Sequence, residues 1–118
     1  MHSTQHDGAN GVTECPIAPG TTRTYQFLAT QHGSSWYHSH HSSQYGEGVV
    51  GLIVFDGPTT ANYDVDLGPL ALTDWYYEST WALNWRALHG GAPPPSQNVL
   101  VNGTMKSATG TGKYNVIT

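Results

Sequence analysis

The strongest strand signals of this chain lie in residues 34–56, which read SSWYHSHHSSQYGEGVVGLIVFD. The first part, Ser34–His40, is predicted to be a β-strand with two histidines near its end. The second part, Gly48–Asp56, is a continuous apolar run that ends at Gly57-Pro58, and this pattern predicts a buried strand. Short strands separated by turn signals are typical of an antiparallel β-sandwich.

The two histidines form a candidate metal site. Side chains alternate faces along a strand, so we expect His38 and His40 to point the same way and His41 to point the opposite way. Neighbouring neutral imidazoles suit copper, zinc, iron or nickel. Two ligands do not complete a site that usually needs three or more, so other ligands must come from elsewhere.

The rest of the chain adds strands and one helix. Alternation at Arg23–Thr30 predicts a half-buried strand. Further strands are predicted at three places: Leu70–Trp75, Gln97–Asn102 and Lys113–Ile117.

Residues Ser79–His89 are the one helical candidate. A stripe of large apolar residues recurs at i, i+4 and i+7, which we interpret as core packing: Trp81, Trp85 and Leu88. Ser79 or Thr80 can cap its start and Gly90 can end it, with His89 favoured by the helix dipole.

Composition excludes some functions. The 118 residues carry four basic and eight acidic side chains, a net charge of −4, which argues against a nucleic-acid partner. No apolar run approaches the roughly 18 to 20 residues of a membrane span, so no membrane partner is expected.

Two residues carry hints of a secreted protein. Cys15 is the single cysteine and cannot close a disulfide within the chain, which leaves an outside partner, a free thiol or a small buried thiol. Asn102-Gly103-Thr104 is a glycosylation triplet of a kind that also arises by chance.

Several motifs in order resemble fungal laccases of the ascomycete type, within the multicopper oxidases. The similar segments are Asp7–Gly20, Trp36–His40 with Gln44, Tyr45 and Gly48, Leu72–Tyr76, and Asn98–Gly103. The resemblance implies an all-β fold of cupredoxin-like Greek-key β-sandwiches. It implies that residues 1–58 are the later part of a first domain, 59–62 a linker and 63–118 the beginning of a second, so that the chain is expected to be an internal fragment.

The resemblance also implies roles for individual residues. His38 and His40 would each bind one copper of the type 3 pair in a trinuclear cluster, with the type 1 and type 2 ligands mostly outside the fragment. Asp7 would lie near that cluster and assist oxygen reduction, although an ordinary Asp-Gly turn is the structural alternative. Cys15 would pair with a cysteine near the C-terminus of the parent enzyme, and Asn102 would carry a glycan.

The expected activity is that of a laccase: one-electron oxidation of phenols or aromatic amines, with dioxygen reduced to water. The parent would be secreted and would serve functions such as lignin degradation, and the fragment would need the remainder of its own chain to be active. Alternatives are a ferroxidase-like multicopper oxidase, a cupin, whose metal motif also begins with His-x-His, and a copper-binding or structural module without activity.

Overall fold

The computed structural model describes residues 6–92 and 94–105. The chain divides between Val65 and Asp66 into two compact units, and each is considered by itself. The predicted strand Lys113–Ile117 lies outside the described residues. No helix of the described part combines the length and the apolar character needed to cross a membrane.

The first unit is built on an antiparallel pair of strands, β1 (Gly33–His38) and β2 (Val50–Phe55). Their register runs from Gly33 opposite Phe55 to His38 opposite Val50. Between them lies a short 3₁₀-helix, Gln44–Glu47, which ends at Gly48 with φ of 97°. Both strands were predicted from the sequence. β1 begins one residue earlier and ends two residues earlier than predicted, and β2 begins two residues later and ends one residue earlier.

The apolar run of β2 is buried on one face only. Gly51, Ile53 and Phe55 are half-buried, whereas the alternate side chains Val50, Leu52 and Val54 are exposed. The prediction of a fully buried strand was therefore wrong for this chain, because only one face of the two-stranded sheet is covered. An edge-to-face contact between Phe27 and Phe55, at 5.9 Å between ring centroids, contributes to that cover.

The predicted strand Arg23–Thr30 is not a strand in the structure. A strand needs a neighbouring backbone to receive its hydrogen bonds, and among the described residues none pairs with this segment. Two side chains from one face of the predicted strand nevertheless make contacts: Phe27 contacts Phe55 and Tyr25 contacts Glu14.

The second unit contains β3 (Leu72–Trp75), α1 (Thr80–Gly90) and β4 (Asn98–Val101). β3 and β4 pair antiparallel, with Leu72 opposite Val101 and Trp75 opposite Asn98. Both strands fall within the segments predicted from the sequence.

Helix α1 forms where its capping signals predict. The Ser79 hydroxyl accepts a hydrogen bond from Trp81 N–H at 3.3 Å, which satisfies one of the free donors of the first turn. The helix ends at Gly90, one residue later than expected, and Gly91 caps it with a φ of 80°. The Nδ1 of His89 lies 2.7 Å from the Trp85 carbonyl, consistent with the predicted role at the helix end.

The apolar stripe of α1 does not form a core. Trp81, Trp85 and Leu88 are 47%, 63% and 75% exposed, whereas Leu83, on a different face, is buried. The interpretation of the stripe as core packing was wrong for the described part of the chain, because none of the described residues of the second unit covers that face.

Candidate functional site

The predicted metal-binding histidines lie where the β1–β2 ladder ends. His38 is the last residue of β1, and the ladder extends one step further through Ser39 N–H, which donates to the Val49 carbonyl at 2.9 Å. Because the paired backbone holds this end of the strand, the positions from which the imidazoles project are fixed by the sheet.

The two imidazoles lie beside each other, as the alternation of a strand predicts. The ring centroids of His38 and His40 are 6.0 Å apart and their planes are tilted by 32°. Both residues are exposed, so both rings are accessible for binding.

Aromatic neighbours orient the His38 ring. The Trp36 ring stacks on His38 with 4.2 Å between centroids and an interplanar angle of 21°. The Tyr45 ring meets His38 edge to face at 5.5 Å. Trp36 and His38 are two residues apart on β1 and therefore share a face of the sheet.

One hydrogen bond selects the nitrogen that His38 can offer. Its Nδ1 lies 3.0 Å from the Ser39 carbonyl oxygen, which can only accept, so the proton resides on Nδ1. Nε2 is then the ring nitrogen that can offer a lone pair to a metal.

A turn with internal hydrogen bonds follows the histidines. The Ser39 hydroxyl donates to Gln44 Oε1 at 2.5 Å and accepts from His41 N–H at 3.2 Å. Ser42 takes a φ of 49°, which allows the chain to reverse before the 3₁₀-helix. Sequence reasoning missed the positioning role of Ser39 and Gln44; the small hydroxyl residue between the two histidines was the available signal.

Asp7 is exposed and lies in a bend immediately before Gly8, whose φ is 76°. In the described part of the chain, no hydrogen bond or ion pair joins Asp7 to His38 or His40. Its role in oxygen reduction therefore stays a prediction, and an Asp-Gly turn is what the backbone displays at this point.

A polar cluster that sequence reasoning missed lies next to Asp7. The Glu14 carboxylate accepts a hydrogen bond from the Tyr25 hydroxyl at 2.5 Å on Oε1, and Arg23 Nε lies 2.6 Å from Oε2. The hydrogen bond to Glu14, followed by burial and by the Glu14 charge, raises the pKa of the Tyr25 phenol. No local sequence pattern predicts this cluster, because Glu14 and Tyr25 are eleven residues apart.

The remaining predicted sites are accessible. Cys15 is a free, exposed thiol. Asn102 is exposed, and its Oδ1 accepts from Ala71 N–H at 2.8 Å, which fixes the side chain. Neither observation tests the predicted disulfide or glycan.

The histidine pair fits part of a copper site. Imidazole nitrogens are suitable copper ligands, and the Nδ1 contact to the Ser39 carbonyl leaves Nε2 of His38 available for ligation. Among residues 6–92 and 94–105, no group of three or more His, Cys, Asp or Glu side chains could hold a metal ion, so the described residues supply two ligands and not a complete set.

Comparisons with known proteins identify the family of the chain. Residues 1–60 match the sequence profile of the multicopper oxidases. Laccase-3 of Botryotinia fuckeliana is 57% identical over 116 residues, which are 96% of this chain and 26% of that protein. The chain therefore spans about a quarter of the length of this curated relative.

Two solved structures are similar. The laccase from Botrytis aclada superposes with a TM-score of 0.77 at 48% identity, over 92% of this chain and 20% of that one. Fet3p, a multicopper oxidase that functions in iron import, gives 0.71 at 39% identity, over 86% and 20%. The predicted cupredoxin-like β fold is confirmed by this similarity.

Proposed function

Because the chain belongs to the multicopper oxidase family, we propose that it forms part of a laccase-type enzyme. The enzyme would oxidise phenols or aromatic amines one electron at a time and reduce dioxygen to water. The observation that carries this proposal is the pair of imidazoles at the end of β1, 6.0 Å apart between ring centroids, with the His38 ring oriented by its Nδ1 contact to the Ser39 carbonyl. Similarity to laccases along nearly the whole chain supports it.

We propose that His38 and His40 each bind one copper of a type 3 pair. Copper bound there would supply the electrons that reduce dioxygen. The chain's own contribution is orientation: the Ser39 carbonyl fixes the His38 ring, and the bond from the Ser39 hydroxyl to Gln44 holds the turn that follows. The other ligands of the cluster would come from residues outside 1–118.

Asp7 is proposed to hold and move protons during oxygen reduction. An exposed carboxylate can exchange protons with solvent, and a carboxylate near a redox site can deliver them to an oxygen atom. Substituting Asp7→Asn removes the ionisable carboxyl group while keeping the size of the side chain.

The domain arrangement proposed is a first cupredoxin domain that ends near residue 58 and a second that begins near residue 63. The division of the described chain between Val65 and Asp66 supports a boundary in this region. We further propose that the protein is secreted, with Cys15 in a disulfide to a distant cysteine and a glycan on Asn102. The exposure of both residues supports these assignments.

A ferroxidase-like activity is the second candidate. Its support is the similarity to Fet3p, whose function is iron import. The two candidates differ in their reducing substrate, not in the oxygen-reducing site.

The test is oxygen consumption by the full-length protein that contains this chain, supplied in turn with a phenol, an aromatic amine and Fe²⁺. The laccase proposal expects rapid consumption with the organic substrates. Consumption with Fe²⁺ alone would favour the second candidate, and no consumption by copper-loaded protein would overturn both.

A further inference from the structure

A buried carboxylate outside the histidine site has no part in the function proposed so far. The Glu14 side chain is only 7% exposed, and both of its oxygens have partners: the Tyr25 hydroxyl at 2.5 Å and Arg23 Nε at 2.6 Å. Removing a charge from water is costly unless the charge is paired, so this arrangement is a fixed structure and not a chance surface contact. The Arg23 guanidinium also lies 5.3 Å from the centre of the Tyr25 ring.

Glu14 closes a tight loop. Its carbonyl accepts from Gly11 N–H at 2.9 Å, while the Ala9 carbonyl accepts from Val12 and Thr13 N–H at 3.0 and 2.9 Å. The Thr13 hydroxyl accepts from Ala9 N–H at 2.8 Å. Residues 9–14 therefore form one hydrogen-bonded unit with Glu14 at its end.

The same carboxylate lies close to Gly8, the residue that follows Asp7. A Cβ placed on Gly8 would lie 3.5 Å from Glu14 Oε1 and 3.7 Å from the Tyr25 hydroxyl, which is ordinary contact distance. Gly8 therefore lies adjacent to the Glu14–Tyr25 hydrogen bond, with room for about one methyl group between them, and its φ is 76°. Asp7 is one residue away.

We propose that Glu14, held by Arg23 and Tyr25, is a positioning residue that fixes the loop carrying Asp7 for proton delivery in oxygen reduction. This inference rests on the role proposed above for Asp7. Glu14 touches no reacting group; it acts through the Gly8 backbone. The carboxylate must keep its two partners, because losing either would leave a buried charge unpaired and the loop free to shift.

The experiment uses the full-length copper-loaded protein with two variants, Tyr25→Phe and Glu14→Gln. Tyr63→Phe is the control for the first, because Tyr63 is an exposed tyrosine of the same unit. Glu78→Gln is the control for the second, because Glu78 forms an exposed ion pair with Arg86. Four quantities are measured: copper content, amide hydrogen exchange of residues 8–14, the KM for the reducing substrate, and kcat/KM for dioxygen as a function of pH.

We expect unchanged copper content and unchanged KM for the reducing substrate in both variants. Amide exchange of residues 8–14 should be faster, and kcat/KM for dioxygen should fall about tenfold with an altered pH profile, as is usual when an orienting residue is lost. Both controls should behave as the parent. Combining either variant with Asp7→Asn should cause no loss beyond that of Asp7→Asn alone, because the two act through one group.

The possible failures are distinguishable. If Asp7→Asn slows oxygen reduction while Tyr25→Phe and Glu14→Gln do not, or if their effects multiply with that of Asp7→Asn, the positioning role is overturned and the proposed function stands. If Asp7→Asn has no effect, the role of Asp7 fails and this inference fails with it.

Discussion

At the scale of single residues, the candidate site depends on hydrogen bonds that orient its side chains. The Ser39 residue illustrates this, because its carbonyl fixes the His38 tautomer while its hydroxyl binds Gln44 and His41 N–H. A serine between two histidines thus organises both the ring before it and the turn after it. Substituting it changes geometry without removing a ligand.

We predict that Ser39→Ala weakens copper binding less than loss of a histidine does. The carbonyl contact to His38 survives, whereas the Gln44 side chain loses its partner and the turn loosens. An orienting contact of this kind typically contributes about 10-fold to metal affinity. Copper titration of the full-length protein measures it, with Ser35→Ala, in the middle of β1, as the matched control. Equal affinity of Ser39→Ala and the parent would contradict the assigned role.

The Tyr25 phenol gives a pH prediction. Its pKa is raised in the folded state by the hydrogen bond to Glu14, by burial and by the Glu14 charge. The folded state therefore holds the proton more tightly than the unfolded chain, whose phenol titrates near its ordinary value of about 10. The stabilisation is fully present below that value and is lost as the pH rises through the folded-state pKa.

We expect Tyr25→Phe to flatten the alkaline end of the stability profile. The parent protein should lose stability more steeply than the variant above a pH of about 10. Denaturant midpoints across this range measure the difference, and Tyr63→Phe should follow the parent. Parallel alkaline profiles for the parent and Tyr25→Phe would show that Glu14 does not hold the phenol.

At the scale of elements, the β3–β4 pair is followed by a two-residue turn at Asn102-Gly103. Asn102 and Gly103 have φ values of 47° and 75°, and Val101 and Thr104 exchange backbone hydrogen bonds of 2.9 and 3.0 Å. Positive φ at both central residues is the requirement of a type I′ turn, for which Asn-Gly is the preferred pair. The dipeptide Asn102-Gly103 is therefore the sequence signal that predicts this turn.

A pair of glycine substitutions tests this turn. Gly103→Ala forces a side chain into the left-handed region and should destabilise the second unit by about 1 kcal/mol. Gly90→Ala lies inside α1 with open space around it and should stabilise by about 0.5 to 1 kcal/mol. Amide exchange across β4 in the full-length protein reports both, and equal effects from the two substitutions would contradict the turn assignment.

The secondary-structure elements also show which features can be predicted from local sequence patterns. The strands at 34–40 and 48–56 and helix α1 were predictable, because periodicity, caps and bounding glycines are properties of neighbouring residues. The segment Arg23–Thr30 was not, since its alternation satisfies a strand but pairing depends on a partner backbone distant in sequence. The same distinction applies to the candidate site. The histidine pair could be predicted from strand alternation. The contact between Glu14 and Tyr25 could not, because these residues are eleven positions apart and no local sequence pattern connects them.

At the scale of the whole molecule, this chain buries little apolar surface. Leu83 is the buried apolar side chain of the described residues, while Trp85, Leu88 and Val12 are 63% to 85% exposed. Burial of apolar surface contributes about 25 cal/mol per Å² to the free energy of folding. A chain that buries little apolar surface therefore has little to offset the conformational entropy lost on folding. The open edges of two-stranded sheets add sites for association.

We therefore predict that residues 1–118 produced alone associate or remain partly unfolded. Sedimentation together with a dye that binds exposed apolar surface measures this state, and the full-length protein is the control. A monomer with a sharp cooperative melt would contradict the prediction and would show that these two units are stable without further cover.

We propose that His38 and His40 are copper ligands, and the copper-to-protein ratio of the full-length protein tests this most directly. Three variants are compared: His38→Ala, His40→Ala and, as the matched control, His41→Ala, whose backbone contact to Ser39 is kept. We predict that the first two bind less copper and lose oxygen reduction, while His41→Ala keeps the parent ratio. A full complement of copper in His38→Ala and His40→Ala, or an equal loss in all three, would contradict the account.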